Sequence, residues 1–398
     1  MATMTAPEVA SRLGVKLETV YAYVSRGALG RVRSPGSRAS LFDADEVEAL
    51  ARRGRPRRTT RSAALDFVIE TRLTSIDAHG LRYRGHDVAG LAQTASFEQV
   101  AELLWTGTLP DRWRPWDPVE PAVSDVGGIR DRLRLAVALA AAGDPLRADL
   151  RRAAVARTGE ELIGAMVGAL AIRGDGRTPR LTVPDGAEPR RGTIAGRLWT
   201  RLAPARPRPG MLGALNAALV LLADHELAVS TLAARVAASA RADPYAVVLA
   251  GLGPLSGPLH GGAGRMARDV LDAAAVEGPG PALAHALEIY GAYPGFGQPL
   301  YPDGDPRARV LLDLVRGAAG GSRALAVAES VLSTAQRRVH VEPNIDFALA
   351  VLGSVASMPP DTSEAIFTIA RSAGWLAHAI EEYHEAPLRF RPRAVYIG

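Results

Sequence analysis

The sequence predicts an all-α protein, a large helical body preceded by a small helix-turn-helix module, and three observations predict it. Apolar residues recur at three- and four-residue spacings in segment after segment, with much alanine between them. Alternating strand patterns are few, and an arginine-rich stretch that cannot pack separates the N-terminal segment from the rest. The chain has 398 residues, 47% of them hydrophobic and 22% charged. That is globular composition, long enough for two or three domains that each bury a core.

Composition also excludes chemistry. With no cysteine there are no disulfides, thiolate zinc sites, iron–sulfur ligation or cysteine nucleophile. Lys16 is the only lysine, and Gly14-Val15-Lys16-Leu17-Glu18 is neither a Walker-type phosphate loop nor the setting of a pyridoxal Schiff base. Met1 to Leu13 lacks a basic start followed by an apolar core, and no apolar run approaches the roughly 18 residues that span a bilayer. The expectation is a cytoplasmic protein with no membrane partner, no bound metal and no tightly held cofactor. The net charge of +5 is uneven: residues 1–61 hold 12 basic against 6 acidic side chains, and the remainder 35 against 36. Any nucleic-acid affinity therefore belongs to the N-terminal segment.

The first module is read over residues 1–53. Val9, Leu13, Val20 and Val24 fall at helical spacings, with Gly14 ending the first helix and Glu18 to Val24 forming the second. Arg31, Arg33 and Arg38 around Pro35-Gly36 suit a basic wing, and Asp43 to Leu50 reads as a third helix with an aspartate cap. The segment resembles the winged helix-turn-helix of MerR-type regulators. That resemblance implies a recognition helix at Glu18–Val24 and Thr19, Tyr21, Arg31 and Arg33 as candidate DNA contacts. A module that only packs or dimerises fits the same residues. Residues 54–61, within Arg52-Arg53-Gly54-Arg55-Pro56-Arg57-Arg58-Thr59-Thr60-Arg61, form a solvated basic linker.

From Ser62 onward, helices are predicted at Arg132–Ala142, Gly159–Ile172, Met211–Leu222, Leu227–Ala240, Ala324–Val339 and Glu364–Ile380. Between helices, three stretches set histidines or acids beside glycine and proline. They are Asp224-His225-Glu226, Gly257-Pro258-Leu259-His260-Gly261-Gly262, and Glu342-Pro343-Asn344-Ile345-Asp346. Taken singly, His225 reads equally as a surface histidine, His260 as a helix cap and Asp346 as a helix N-cap.

Together with Leu81-Arg82-Tyr83-Arg84-Gly85-His86-Asp87-Val88, Ser96 to Trp105, Gly295-Phe296-Gly297, Asp305-Pro306-Arg307-Ala308, Ile369 to His378 and Arg391 to Gly398, these stretches resemble citrate synthases and 2-methylcitrate synthases, in the family's order. The resemblance implies a two-domain all-α body, a large domain of residues 62–261 and 359–398 and a small one of 262–358, with the site in the cleft between them. It also implies an acyltransferase that condenses acetyl- or propionyl-CoA, the co-substrate, with the keto-dicarboxylate oxaloacetate. Asp346 would abstract a proton from the acyl carbon while His260 hydrogen-bonds the thioester carbonyl. His225, Arg307, Arg371 and Arg391 would hold the dicarboxylate, Arg391 reaching in from the second subunit of a homodimer. The family's second catalytic histidine, after Gly295-Phe296-Gly297, is here Gln298. An amide donates a hydrogen bond but gives up no proton at neutral pH, so catalysis is expected to be slowed or altered. Two alternatives stand beside this reading: a regulator with a ligand-sensing body and a DNA-binding N-terminus, and an enzyme of the same chemistry that takes another keto acid.

Overall fold

The computed structural model describes residues 3–13, 15, 17–25, 29–32, 40–52, 68–77, 80–123, 127–182, 190–257 and 260–391. The chain divides into two compact units, Met1–Ile69 and Glu70–Gly398.

In the first unit β1 (Thr3–Thr5), α1 (Ala6–Leu13), α2 (Leu17–Ser25), β2 (Arg31–Val32), β3 (Leu41–Asp43) and α3 (Ala44–Arg52) follow one another. Strand β3 is central, with Met4 of β1 and Arg31 of β2 both opposite Phe42 in antiparallel register. Val9 and Ala10 of α1, Val20 of α2, Phe42 of β3 and Val47 of α3 bury one small core, as helical spacing requires of a short amphipathic module. Asp43 caps α3, its Oδ1 accepting from the Asp45 N–H at 2.8 Å and the Glu46 N–H at 3.2 Å. The expected helix-turn-helix and aspartate cap are both present. Strands β2 and β3 pair antiparallel on either side of the expected wing, whose Arg33, Pro35, Gly36 and Arg38 lie outside the described residues, as do Lys16 and linker residues 54–61.

The second unit opens with a small antiparallel sheet of β4 (Thr74–Asp77), β5 (Gly80–Tyr83) and β6 (His86–Asp87). The helices follow in order: α4 (Val88–Thr94), α5 (Phe97–Thr106), α6 (Ile129–Gly143), α7 (Arg152–Gly168), α8 (Ile194–Leu202), α9 (Met211–Leu222), α10 (Val229–Ser239), α11 (Pro244–Leu255), α12 (Ala263–Glu277), α13 (Pro279–Tyr290), α14 (Pro306–Ala318), α15 (Arg323–Val339), α16 (Ile345–Val355) and α17 (Thr362–Glu382). Among the described residues no helix is long and apolar enough to cross a membrane. One predicted helix is misplaced. The expected Gly159–Ile172 begins at Arg152, where no side chain caps the first turn, so the start carries no Ser, Thr or Asp signal. It ends at Gly168, with the Leu170 N–H turned back onto the Val167 carbonyl at 3.2 Å and Ile172 exposed.

Helix α17 organises the body. It is buried along most of its length and packs against α5, α6, α7, α9, α10, α11, α12 and α16. Small residues allow this close approach. A Cβ at Gly251 would lie 2.7 Å from the buried Trp375 ring, and one at Gly374 would lie 2.3 Å from the Ala223 carbonyl oxygen. The Trp105 indole donates to the Ala373 carbonyl at 2.9 Å, fixing α5 against the same stretch. Helix α9 is apolar all round and fully buried, which suits a central helix. Its one amide, Asn216, bridges the α4–α5 turn, accepting from the Phe97 N–H at 3.0 Å and donating to the Ala95 carbonyl at 2.9 Å.

Gly374→Ala is expected to destabilise the body by roughly 1–3 kcal/mol through overpacking. Thermal unfolding measures it, and an unchanged midpoint would mean that the end of α9 is not seated on α17.

Candidate active site

The segment after α9 is fixed from three sides. Arg371 Nε of α17 donates to the Leu222 carbonyl at 2.8 Å. Tyr83 of β5 donates its hydroxyl to the Asp224 carbonyl at 2.7 Å and accepts from the Asp224 N–H at 3.1 Å. The buried Asp224 carboxylate takes the Thr74 hydroxyl and faces His378 Nε2 at 3.3 Å. Glu226, at φ +50°, then turns the chain back. The result is a buried His225 whose Nε2 lies 2.9 Å from the Tyr301 hydroxyl. His225 is no surface residue.

Two buried guanidinium groups face this turn. Arg307 holds Asp305 through both forks, at 3.0 and 2.8 Å, and Asp305 also accepts from the Ile345 N–H at 3.1 Å at the head of α16. Burial alone would lower Arg307, and Asp305 outweighs it to hold the pKa above its ordinary value. Arg371 is only 1% exposed, yet among the described residues no carboxylate lies within ion-pair distance. Its partners are the Leu222 carbonyl and the Phe367 ring, whose centroid is 4.6 Å from Cζ. Burial lowers its pKa. Burial first, then Arg307 and Arg371, push His225 far down, so its ring is neutral at physiological pH.

His260 and Asp346 line one narrow cleft with Gly261, Gly264, Ser363 and Phe367. His260 does not cap a helix. Its Nε2 is 2.8 Å from the Ser230 hydroxyl, and its ring meets Phe367 edge-on at 5.8 Å. Burial and then Arg371 lower its pKa, leaving a neutral ring with its second nitrogen available. Asp346 is not the N-cap of α16 either. Asn344 takes that place, its Oδ1 accepting from the Asp346 N–H at 3.0 Å and the Phe347 N–H at 3.4 Å. The Asp346 carboxylate is thereby left without a hydrogen bond among the described residues. Burial raises it to about 6, against the pull of Arg307 and Arg371. Gly264 is required here, because a Cβ would lie 2.6 Å from Ser363 Cβ.

Gln298 follows a loop latched to α16: the Asn344 N–H donates to the Gly295 carbonyl and its side-chain amide to the Gly297 carbonyl, both at 2.9 Å. Its own amide oxygen accepts from the Leu300 N–H at 3.4 Å, and its carbonyl from the Tyr301 N–H at 2.9 Å. His225, His260, Arg307, Asp346 and Arg371 are thus brought together from five segments, with Gln298 on the adjoining loop. Arg391 is exposed, and among the described residues no hydrogen bond or ion pair joins it to them. In the first unit Thr19 of α2 is half-buried, Tyr21 and Arg31 are described in their backbone alone, and Arg33 lies outside the described residues. Sequence reasoning missed Tyr301, since nothing local signals a contact with a residue 76 positions away. It missed Phe367 as well, which reads as one more apolar helix residue.

Known proteins match both units. A family model described as the citrate synthase C-terminal domain matches residues 66–393, and one described as a helix-turn-helix domain matches residues 3–55. Citrate synthase 2 of Bacillus subtilis is 30% identical over 368 residues, covering 85% of this chain and 96% of the relative. 2-Methylcitrate synthase 2 of Corynebacterium glutamicum is 29% identical over 353 residues, covering 81% and 90%. Among solved structures, citrate synthase from Thermotoga maritima superposes with a TM-score of 0.65 at 23% identity, covering 85% of this chain and 96% of that one. The Thermoplasma acidophilum citrate synthase, solved as a ternary complex with carboxymethyl coenzyme A and oxaloacetate, gives 0.61 at 24% identity, covering 83% and 94%.

Asp346 offers a stability test. Its folded pKa of about 6 lies above the ordinary 3.8, so its contribution to stability is full below about pH 4 and lost as pH rises through 6. Asp346→Asn removes the half-buried charge and is expected to stabilise the protein by roughly 1–2 kcal/mol above pH 7, the gain vanishing toward pH 4. Denaturant unfolding at several pH values checks it.

Proposed function

Because the chain belongs to the citrate synthase family, we propose that it condenses a short acyl-CoA, acetyl or propionyl, with oxaloacetate and releases free CoA. The observation that carries this reading is the uncapped Asp346, raised to about 6, sharing one cleft with a neutral His260 beside the buried cations Arg307 and Arg371. A thioester's α-proton is weakly acidic, so a carboxylate whose pKa lies near the working pH is a better base than an ordinary aspartate. Asp346 takes that proton while His260 donates a hydrogen bond to the thioester oxygen as charge develops on it. The enol carbon attacks the ketone, the ketone oxygen acquires a proton, and water hydrolyses the resulting thioester. No acyl-enzyme forms, so no cysteine is needed.

The dicarboxylate is held by His225, Arg307 and Arg371, with Arg391 of the partner subunit completing the set in a homodimer. Arg371 supplies a buried positive charge that, among the described residues, no carboxylate pairs at ion-pair distance, and its planar fork suits a carboxylate. The large domain comprises residues 62–261 and 359–398 and the small domain 262–358. The slit holding His260 and Asp346 has a volume of about 10 Å³, far below a substrate pocket, so substrate entry requires the domains to separate and then close.

Thiol release from acetyl- or propionyl-CoA with oxaloacetate tests the reading, and Asp346→Asn is expected to abolish it. The acid limb of kcat/KM is expected near pH 6, since Asp346 must be a carboxylate to act as base. Gln298→His is expected to raise kcat. Background-level release by both the wild-type chain and Gln298→His would discard the reading, and release with a different keto acid alone would move the acceptor.

The helix-turn-helix match and the +6 carried by residues 1–61 favour a second reading for the first unit. We propose that it binds duplex DNA chiefly through phosphates, the body then sensing a carboxylate or CoA ester. Fluorescence polarisation with duplex DNA is expected to show affinity falling steeply between about 50 and 200 mM salt. Absence of binding at low salt would exclude it.

A further inference from the structure

Tyr301 stands where the chemistry of the proposed acceptor site lacks a proton donor. Its hydroxyl is 2.9 Å from His225 Nε2, the two rings are 5.6 Å apart, and Arg307 Cζ lies 5.7 Å from its ring centroid. Gln298, three residues earlier, bonds only within its own turn: its side-chain oxygen takes the Leu300 N–H, and its carbonyl takes the Tyr301 N–H. That turn presents Tyr301 to His225. Among the described residues the Gln298 amide makes no hydrogen bond to His225, Arg307 or Arg371.

We propose that Tyr301 is the catalytic acid of the condensation, donating its phenolic proton to the ketone oxygen of the keto acid. The inference rests on the condensation reading. As the carbon–carbon bond forms between the enol carbon and the ketone carbon, the C=O π pair moves onto oxygen, and that oxygen takes the proton from the Tyr301 hydroxyl. The tyrosinate left behind faces His225 and the Arg307 cation and regains a proton from solvent. Asp346 releases to solvent the proton it took from the acyl carbon, so the protons balance.

The surroundings suit the role. Burial lifts Tyr301 to about 12 while Arg307 pulls the other way, so the phenol stays protonated across the working range and yields its proton only to a strongly basic oxygen. An alkoxide is such an oxygen, and an amide is no acid at all under these conditions. His225, kept neutral by burial and by Arg307 and Arg371, can accept from the phenol or donate to it according to its tautomer. It does not compete as an acid.

The test compares the wild-type chain, Tyr301→Phe, and Tyr301→Phe combined with Gln298→His, by thiol release and by calorimetric binding of oxaloacetate and of succinate, which lacks the ketone. Tyr301→Phe is expected to lower kcat by roughly 10²–10⁴-fold, with little change in KM for acyl-CoA. It is also expected to erase the preference for oxaloacetate over succinate, and the added histidine should recover much of kcat. A kcat unchanged in Tyr301→Phe, or a ketone preference that the substitution leaves intact, overturns the role of Tyr301 and leaves the condensation reading standing. No thiol release from either the wild-type chain or Gln298→His overturns the condensation reading instead, and the ketone preference then still decides whether Tyr301 faces the acceptor.

Discussion

Arg371 is a positive charge in the middle of the long buried helix α17, bonded to a backbone carbonyl and stacked on an aromatic ring, with the buried Asp224 acting on it electrostatically but, among the described residues, no carboxylate within ion-pair distance. An unpaired buried ion costs several kcal/mol even after its surroundings relax. Retaining one is sensible where an anion arrives from outside to neutralise it. Much of the site follows from that charge. It helps keep His225 and His260 neutral, opposes the burial that raises Asp346, and holds the end of α9 through Leu222.

Seating such a charge demands small neighbours and an exact path for the chain around it. Gly374 lets the Ala223 backbone lie against α17, and Tyr83 grips Asp224 from the sheet, so the turn carrying His225 has no slack. On the other side of the cleft Asn344 performs the capping that would otherwise occupy Asp346. One side chain saturates the helix terminus, and the next acid along is left half-buried with no hydrogen-bond partner among the described residues. A general base with a raised pKa arises from that division of labour.

The sequence made much of this legible, and for physical reasons. Helix α9 matched its expected bounds, Met211 to Leu222, because it is a continuous apolar run closed by a turn. Helix α7 did not, because Arg151 offers no capping side chain and alanine blurs the apolar face. The short sheet around Tyr83 was not expected, since strands of two to four residues carry too little alternation to stand out. Asp346 read equally as cap or base, and only the position of Asn344 separates the two. Tyr301 was invisible because its significance lies wholly in a contact made through the tertiary fold. Gln298 was visible as a departure, yet its turn, which aims Tyr301 at His225, exists only in the folded chain.

We propose that the buried arginines await a dicarboxylate anion. Calorimetric titration of oxaloacetate into the full chain tests it most directly. Saturable binding at one site per chain, lost when Arg371 is replaced by leucine in a protein that still unfolds cooperatively, is the predicted result. An absence of binding at millimolar oxaloacetate, or equal binding by the leucine variant, would contradict it.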